Sequence, residues 1–195
     1  MTDTPKRKLV IVGGGTAGWI TAAAFVRLLG RSLDITLVES EAIGTVGVGE
    51  ATIPQIIRLN AILGLDEMEF VRETKGTFKL GIEFVDWGRK GTSYLHTFGD
   101  AGLSLAGAAF HHYWRRAAAS GHTSDLWHYS LHRLAADHAR FGKLDRVGNT
   151  AMTGLAYAYH FDAGLYAAYL RRYAEGQGVV RHEGIVQHVT RDGEN

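Results

Sequence analysis

The sequence predicts an α/β fold built on a parallel sheet, and three observations carry that prediction. A short apolar, β-branched run, Leu9-Val10-Ile11-Val12, leads straight into Gly13-Gly14-Gly15-Thr16-Ala17-Gly18. An Ala-rich stretch of helical character follows, from Thr16 to Leu29. A second β-branched run, Asp34-Ile35-Thr36-Leu37-Val38, comes next. Strand, tight turn, helix, strand is the βαβ unit from which parallel sheets are made.

The glycines keep the G-x-G-x-x-G spacing. Gly13 makes the turn, Gly15 lets a pyrophosphate approach the backbone, and Gly18 lets helix and strand pack closely. The first helical residues, Thr16 and Ala17, offer free N–H groups and the positive end of the helix dipole to phosphates. A glycine-rich turn of purely structural purpose is the bland alternative; the strand before it and the helix after it favour a dinucleotide. Gly30, with Arg27 one turn earlier, suits the helix C-terminus. Glu39 ends the second strand, about twenty residues beyond the last glycine, where a carboxylate accepts both ribose hydroxyls of an adenosine. It would repel a 2′-phosphate, which leaves NAD or FAD; a solvated strand-end residue is the alternative for Glu39.

Composition narrows the class. The 195 residues suffice for a sizeable core, and 21 Lys and Arg balance 20 Asp and Glu, which argues against a nucleic-acid partner. Apolar runs are too short to span a bilayer, and basic Met1–Lys8 precedes too few apolar residues for a signal peptide. The absence of cysteine excludes disulfides, thiolate zinc sites and a cysteine nucleophile, and fits a cytoplasmic protein.

Beyond Glu39 the regular βαβ pattern stops, which disfavours an NAD-dependent dehydrogenase. Ala42–Pro54 reads as a structured loop. Helices are expected over Gln55–Leu63 and Asp66–Thr74, the latter capped by Asp66. Thr77–Trp87 reads as a strand and Tyr94–Phe98 as its hairpin partner. Phe110–Ser120, Ser124–Phe141 and Ala163–Glu175 read as helices, Val179–His182 and Ile185–Thr190 as late strands. Adjacent His111 and His112 are expected to point apart. His128 and His132, four apart on one expected helix, have zinc spacing but no third ligand in register, so no metal is expected. The sheet is short of strands for a complete doubly wound domain, and Thr190–Asn195 resembles a turn leading into another strand. The chain therefore reads as the N-terminal portion of a larger protein.

Six segments are distinctive together: GGGTAGW at Gly13–Trp19, GVGEATIP at Gly47–Pro54, FKLGIEFVDWG at Phe78–Gly88, YLHTFG at Tyr94–Gly99, FHHYW at Phe110–Trp114 and YHFDA at Tyr159–Ala163. In this order they resemble the flavin-dependent halogenases, the family of the tryptophan halogenases, over essentially the whole chain. The resemblance implies an FAD-binding, Rossmann-like domain of the glutathione-reductase type, with inserted substrate-binding helices and strands, truncated at the C-terminus. Residues 1–75 would be the FAD-binding βαβ part, 76–175 a substrate-side insertion, and 176–195 an incomplete return to the FAD-binding domain.

The family implies that FADH2, supplied by a separate NADH-dependent flavin reductase, reacts with O2 to a flavin hydroperoxide. Chloride or bromide attacks it, and the hypohalous acid travels through a tunnel to an electron-rich aromatic substrate. A lysine in the K-L-G-I segment, here Lys79, would capture or orient the oxidised halogen. Burial would favour its neutral amine; without the motif Lys79 would be an ordinary solvated strand lysine, as Lys75 is expected to be. Gly49, Glu50 and Ala51 would lie along the flavin, unless their loop merely caps the helix beginning near Pro54. Val186 matches a position whose backbone meets adenine. His96 and Phe98 fall where an aromatic pair sandwiches the indole; a cross-strand packing pair is the alternative.

Some family features are missing. W-x-W-x-I-P does not occur, and the glutamate partnered with the lysine and the halide-binding backbone belong to later sequence, so this stretch alone should not halogenate. The Gly- and Ala-rich segment Gly99–Ala109 offers no anchor for an amino-acid carboxylate, which leaves indole-like or larger phenolic substrates open. A flavin-dependent monooxygenase and a non-catalytic FAD-binding fragment are the alternatives, and a homodimer stays open.

Overall fold

The computed structural model describes residues 6–30, 32–43, 49–191 and 193. In chain order the elements are β1 (Arg7–Val12), α1 (Thr16–Leu29), β2 (Leu33–Glu39), β3 (Gly49–Ala51), α2 (Gln55–Leu63), α3 (Glu67–Glu73), β4 (Thr77–Lys79), β5 (Gly81–Val85), β6 (Ser93–Thr97), α4 (Phe110–Ala119), α5 (Leu131–Asp137), β7 (Ala158–Asp162), α6 (Ala163–Gly176) and β8 (Val180–Glu183). A 3₁₀ turn, Leu126–Tyr129, precedes α5. The fold is α/β, in two compact units: residues 1–51, 57–77 and 160–195 form the first, and 52–56 with 78–159 form the second.

The first unit is organised by a parallel sheet of order β1-β2-β8. Leu9 stands opposite Ile35 and Val12 opposite Val38, while Thr36 meets Val180 and Glu39 meets Glu183. Alternation along β2 buries Ile35 and Leu37, as expected of a strand with one face against helices. Above that face α1 packs on α6. Trp19, Ala22 and Ala23 make the buried stripe of α1, and the two alanines let the helices approach closely. Asp162 caps α6 by accepting from Leu165 N at 2.9 Å. Tyr166, Ala167, Leu170 and Ala174 then recur at helical spacing on its buried face. The Phe70 ring of α3 meets Tyr166 edge-on at 5.3 Å and Phe161 at 5.6 Å. Burial pushes the Tyr166 phenol pKa well up, so it stays a donor, and it bonds Asn60 Oδ1 at 2.9 Å. The other sheet face leaves Val10, Val12 and Val180 exposed.

The second unit is built on the β5–β6 hairpin, with Ile82 opposite His96 and Phe84 opposite Tyr94. Its aromatic core stacks Phe78 on Phe141 at 4.0 Å, with Tyr157 edge-on to both. His132 is buried, with Nε2 3.0 Å from the Ala156 carbonyl. Burial outweighs that contact and holds the His132 pKa below the ordinary histidine value.

Several expectations give way. Thr77–Trp87 is not one strand: it breaks at Leu80 into β4 and β5, where Leu80 O accepts from Phe98 N at 3.0 Å. Ser124–Phe141 is not one helix, because buried Ser130 restarts the chain as an N-cap for α5, its hydroxyl accepting from Arg133 N at 3.3 Å. His128 and His132 therefore lie on different elements and share no helix face. The rings of His111 and His112 do not point apart but sit 4.0 Å from each other. Ile185–Thr190 forms no strand, and β8 pairs with β2 rather than with a sequence neighbour. The sequence reading gave no strand at β7, nor at β3, which arises within the expected loop; Gly49 stands opposite Asp162, Glu50 opposite Phe161 and Ala51 opposite His160. Helix α6 belongs to the unit of the parallel sheet. The remainder of that loop (44–48) and most of the turn expected at Thr190–Asn195 lie outside the described residues.

Candidate functional site

A cleft of about 780 Å³ opens in the first unit at the C-terminal end of β1 and β2. The glycine turn forms its floor. Gly13 sits at φ +109°, a conformation that L side chains rarely adopt, and its N–H bonds the Val38 carbonyl at 2.9 Å. At Gly18 a Cβ would stand 1.9 Å from the Gly13 carbonyl, so helix and turn touch through backbone alone. At Gly15 a Cβ would meet nothing within 4 Å. The space above Gly15 is free for an approaching group.

The helix end at this floor, like that of α4, is left open, whereas three others are closed by side chains. Asp66, Ser130 and Asp162 cap α3, α5 and α6 with side-chain oxygens. The N-cap of α1 is Gly15, with no side-chain cap and no acidic residue in the first turn. Its N–H groups and dipole therefore stay available to an anion. Thr16 and Ala17 line the cleft here, and the Thr16 hydroxyl donates to the Ala163 carbonyl at 3.3 Å.

Glu39 also lines the cleft, with its side chain 15% exposed. Its Oε1 accepts from Arg181 Nε at 2.7 Å and lies 3.8 Å from Arg171 Nη1. The carboxylate lies over Gly14, where a Cβ would fall 1.2 Å from Oε2. The sequence reading gave Gly14 no role. Its hydrogen is what admits Glu39 to the cleft. Of the β3 residues, Glu50 reaches the cleft, with Gly49 and Ala51 on either side of it in the strand. Val186 lines the cleft from irregular backbone, beside Gly184 and Ile185. Gly164, Ala167, Ala168 and Arg171 of α6 complete that wall. Small residues one helical turn apart in G-L-Y-A-A were the sequence signal for them. The uncapped helix, the open space at Gly15, and a carboxylate about where a ribose would fall fit the adenosine and pyrophosphate of FAD.

The second unit holds the other candidate. Lys79 ends β4 and is 6% exposed, whereas Lys75 is exposed. Lys79 Nζ donates to the Thr52 carbonyl at 2.8 Å and lies 5.5 Å from the centre of the Phe98 ring. Burial lowers its pKa from the ordinary lysine value, favouring the neutral amine. Thr52, unremarked in the sequence, is pinned in turn. Its N–H and hydroxyl both donate to the Tyr159 carbonyl, at 3.0 and 2.9 Å, and the hydroxyl accepts from Tyr159 N at 3.1 Å. Phe98 is half-buried and faces the lysine, whereas His96 is exposed on the hairpin. In Gly99–Ala109, Leu105 and Ala108 close a tight turn, with Ala106 and Gly107 at positive φ; the segment holds no cationic side chain.

Comparison with known proteins gives the family. A family model described as tryptophan halogenase matches residues 8–195. The tryptophan 7-halogenase of Lentzea aerocolonigenes is 36% identical over 95% of this chain and 37% of its own length. Among solved structures, a flavin-dependent halogenase from Xanthomonas campestris superposes with a TM-score of 0.85 at 47% identity, over 97% of this chain and 37% of that one. One from Brevundimonas sp. BAL3 gives 0.84 at 41%, over 95% of this chain and 37% of that one. The tryptophan 6-halogenase of Streptomyces toxytricini gives 0.80 at 36%, over 96% and 37%. The chain thus spans 37% of the length of these relatives. Among the described residues no helix is long and apolar enough to cross a membrane.

Proposed function

The chain belongs to the tryptophan halogenase family, and from that premise we propose that it serves flavin-dependent halogenation of an indole-type ring. Reduced FAD is assigned to the cleft of the first unit and halogen transfer to the Lys79 amine. The observation that carries this reading is the burial of Lys79, in the K-L-G-I segment, with its amine held by the Thr52 carbonyl.

When bound, FADH2 would supply two of the four electrons that reduce O2, the halide supplying the other two and a proton being taken up, to give hypohalous acid and water. Gly13, Gly15 and the first N–H groups of α1 would bind the pyrophosphate, with Gly18 letting helix and turn pack together, and Glu39 would accept from the ribose. In its neutral form, which burial favours, the Lys79 amine has a lone pair free while one N–H is donated to Thr52. Attack of that lone pair on the halogen of hypohalous acid forms an N–halogen bond and releases water. The arene carbon then takes the halogen, and its displaced proton returns to the amine. A second mode needs no N–halogen bond: the amine N–H groups donate to hypohalous acid and aim it. Phe98, beside the amine, offers a face on which a flat ring can rest.

The substrate class is set wider than free tryptophan. Gly99–Ala109 contributes no cation for a carboxylate, and identity is higher to structures named only as flavin-dependent halogenases than to those named for tryptophan. A separate reductase supplies the FADH2. The test is product formation by the full-length protein with FADH2, O2 and a panel of indoles and phenols, with bromide, with chloride and without halide. A product bearing the halogen isotope pattern, absent without halide, supports the reading. A halide-independent oxygenated product would make the protein a monooxygenase.

A further inference from the structure

At the wall of the cleft, acidic side chains gather around one guanidinium. Arg181 stands on β8 opposite Leu37, with its side chain 13% exposed. Its Nε donates to Glu39 Oε1 at 2.7 Å and one terminal nitrogen to Glu41 Oε1 at 3.1 Å, and it also pairs with Glu183. Arg171 of α6 stands farther off, 3.8 Å from Glu39 and 3.7 Å from Glu41. Arg181 is thus the one group among these that holds Glu39 at hydrogen-bond distance.

That contact decides what Glu39 can do. With Oε1 engaged by Arg181, Oε2 is the oxygen that lies over the glycine turn, where a Cβ on Gly14 would be 1.2 Å away. Without Arg181 three carboxylates would crowd one strand end with only Arg171 beside them, farther off at 3.7–3.8 Å, and nothing would hold the Glu39 carboxylate at hydrogen-bond distance. A carboxylate fixed beforehand gives a ribose hydroxyl its bond without a new ordering cost; a swinging one does not.

We propose that Arg181 is the positioning residue for Glu39, holding its carboxylate in the geometry that accepts the adenosine ribose of the dinucleotide. The inference rests on the assignment of FAD to this cleft. Arg181 itself does not touch the ligand; it acts through Glu39, and its planar fork makes the contact in a way a lysine cannot reproduce in full.

The test is FAD affinity of the full chain, read by quenching of flavin fluorescence, for R181M, R181K, E39Q and the double variant R181M/E39Q. R181M should weaken FAD binding about tenfold, with R181K between it and the parent. In the E39Q background R181M should add almost nothing, because the two residues act as one unit. A purely structural role would weaken binding by the same factor whether or not Glu39 is present, and that additive result overturns the proposal, as does an unchanged affinity in R181M. Should R181M fail to fold, R181K with R181K/E39Q carries the same cycle at smaller amplitude. A parent chain that binds no FAD removes the cofactor assignment and this proposal with it, whereas tight parental binding with an additive cycle removes the proposal alone.

Discussion

The two units place their chemistry by opposite means. In the first, the cleft floor is backbone: a glycine at positive φ, a helix end without a side-chain cap, and a contact at Gly18 that excludes any Cβ. In the second, the group proposed to handle the halogen is one side chain, Lys79, made unusual only by burial and by a single carbonyl. A backbone site fails when any side chain is added to it. A side-chain site fails when its surroundings loosen.

The contrast can be broken from either side. The largest effect is expected at Gly18, where Gly18→Val puts a branched side chain against the Gly13 carbonyl, 1.9 Å from the Cβ position. FAD affinity should fall on the order of a hundredfold, measured by flavin fluorescence. Next is Thr52→Val, which keeps the shape but removes the hydroxyl that ties Thr52 to Tyr159. Halogenation should drop on the order of twentyfold at saturating FAD as the amine loses its fixed acceptor, and Thr52→Ser should restore most of it. Glu39→Ala should weaken FAD about tenfold without changing which carbon is halogenated, as loss of one charged hydrogen-bond acceptor implies.

The smallest effect concerns stability and sharpens the comparison. Because burial lowers the Lys79 pKa below the ordinary 10.5, the unfolded chain binds the extra proton between those two values. Stability therefore rises with pH through that window, and the penalty for burying the ammonium is fullest below it. Lys79→Met should raise Tm at pH 7, by roughly 3 °C for each kcal/mol relieved. The gain should shrink as pH approaches 10, as thermal melts across a pH series would show. A pH-independent gain would mean that the amine is neutral throughout or is solvated.

What was legible in the sequence follows the same division. Gly13, Gly15 and Gly18 announced themselves because backbone sterics admit so few residues there. The α2 bounds, the Asp66 cap and the β5–β6 hairpin were readable because local pattern decides them. The break at Leu80 and the restart at Ser130 were not, since each is settled by a partner distant in sequence or by a buried cap. The ring contact of His111 with His112 is a matter of rotamers, which spacing does not specify. Arg181 and Thr52 were invisible for a related reason: a strand arginine and a loop threonine gain meaning only when β8 meets β2 and when Thr52 meets Tyr159. Lys79 was singled out through its segment's resemblance to a family; by composition alone it matches any exposed strand lysine.

One measurement reaches the central claim most directly: the halogenated product and the FAD affinity of Lys79→Ala in the full-length protein, taken on the same preparation with an indole substrate, halide and FADH2. Product should vanish while FAD binds within about twofold of the parent, as expected when a group acts on the reacting atoms alone. Halogenated product at the parental yield would contradict the assignment of Lys79 and with it the account of the second unit.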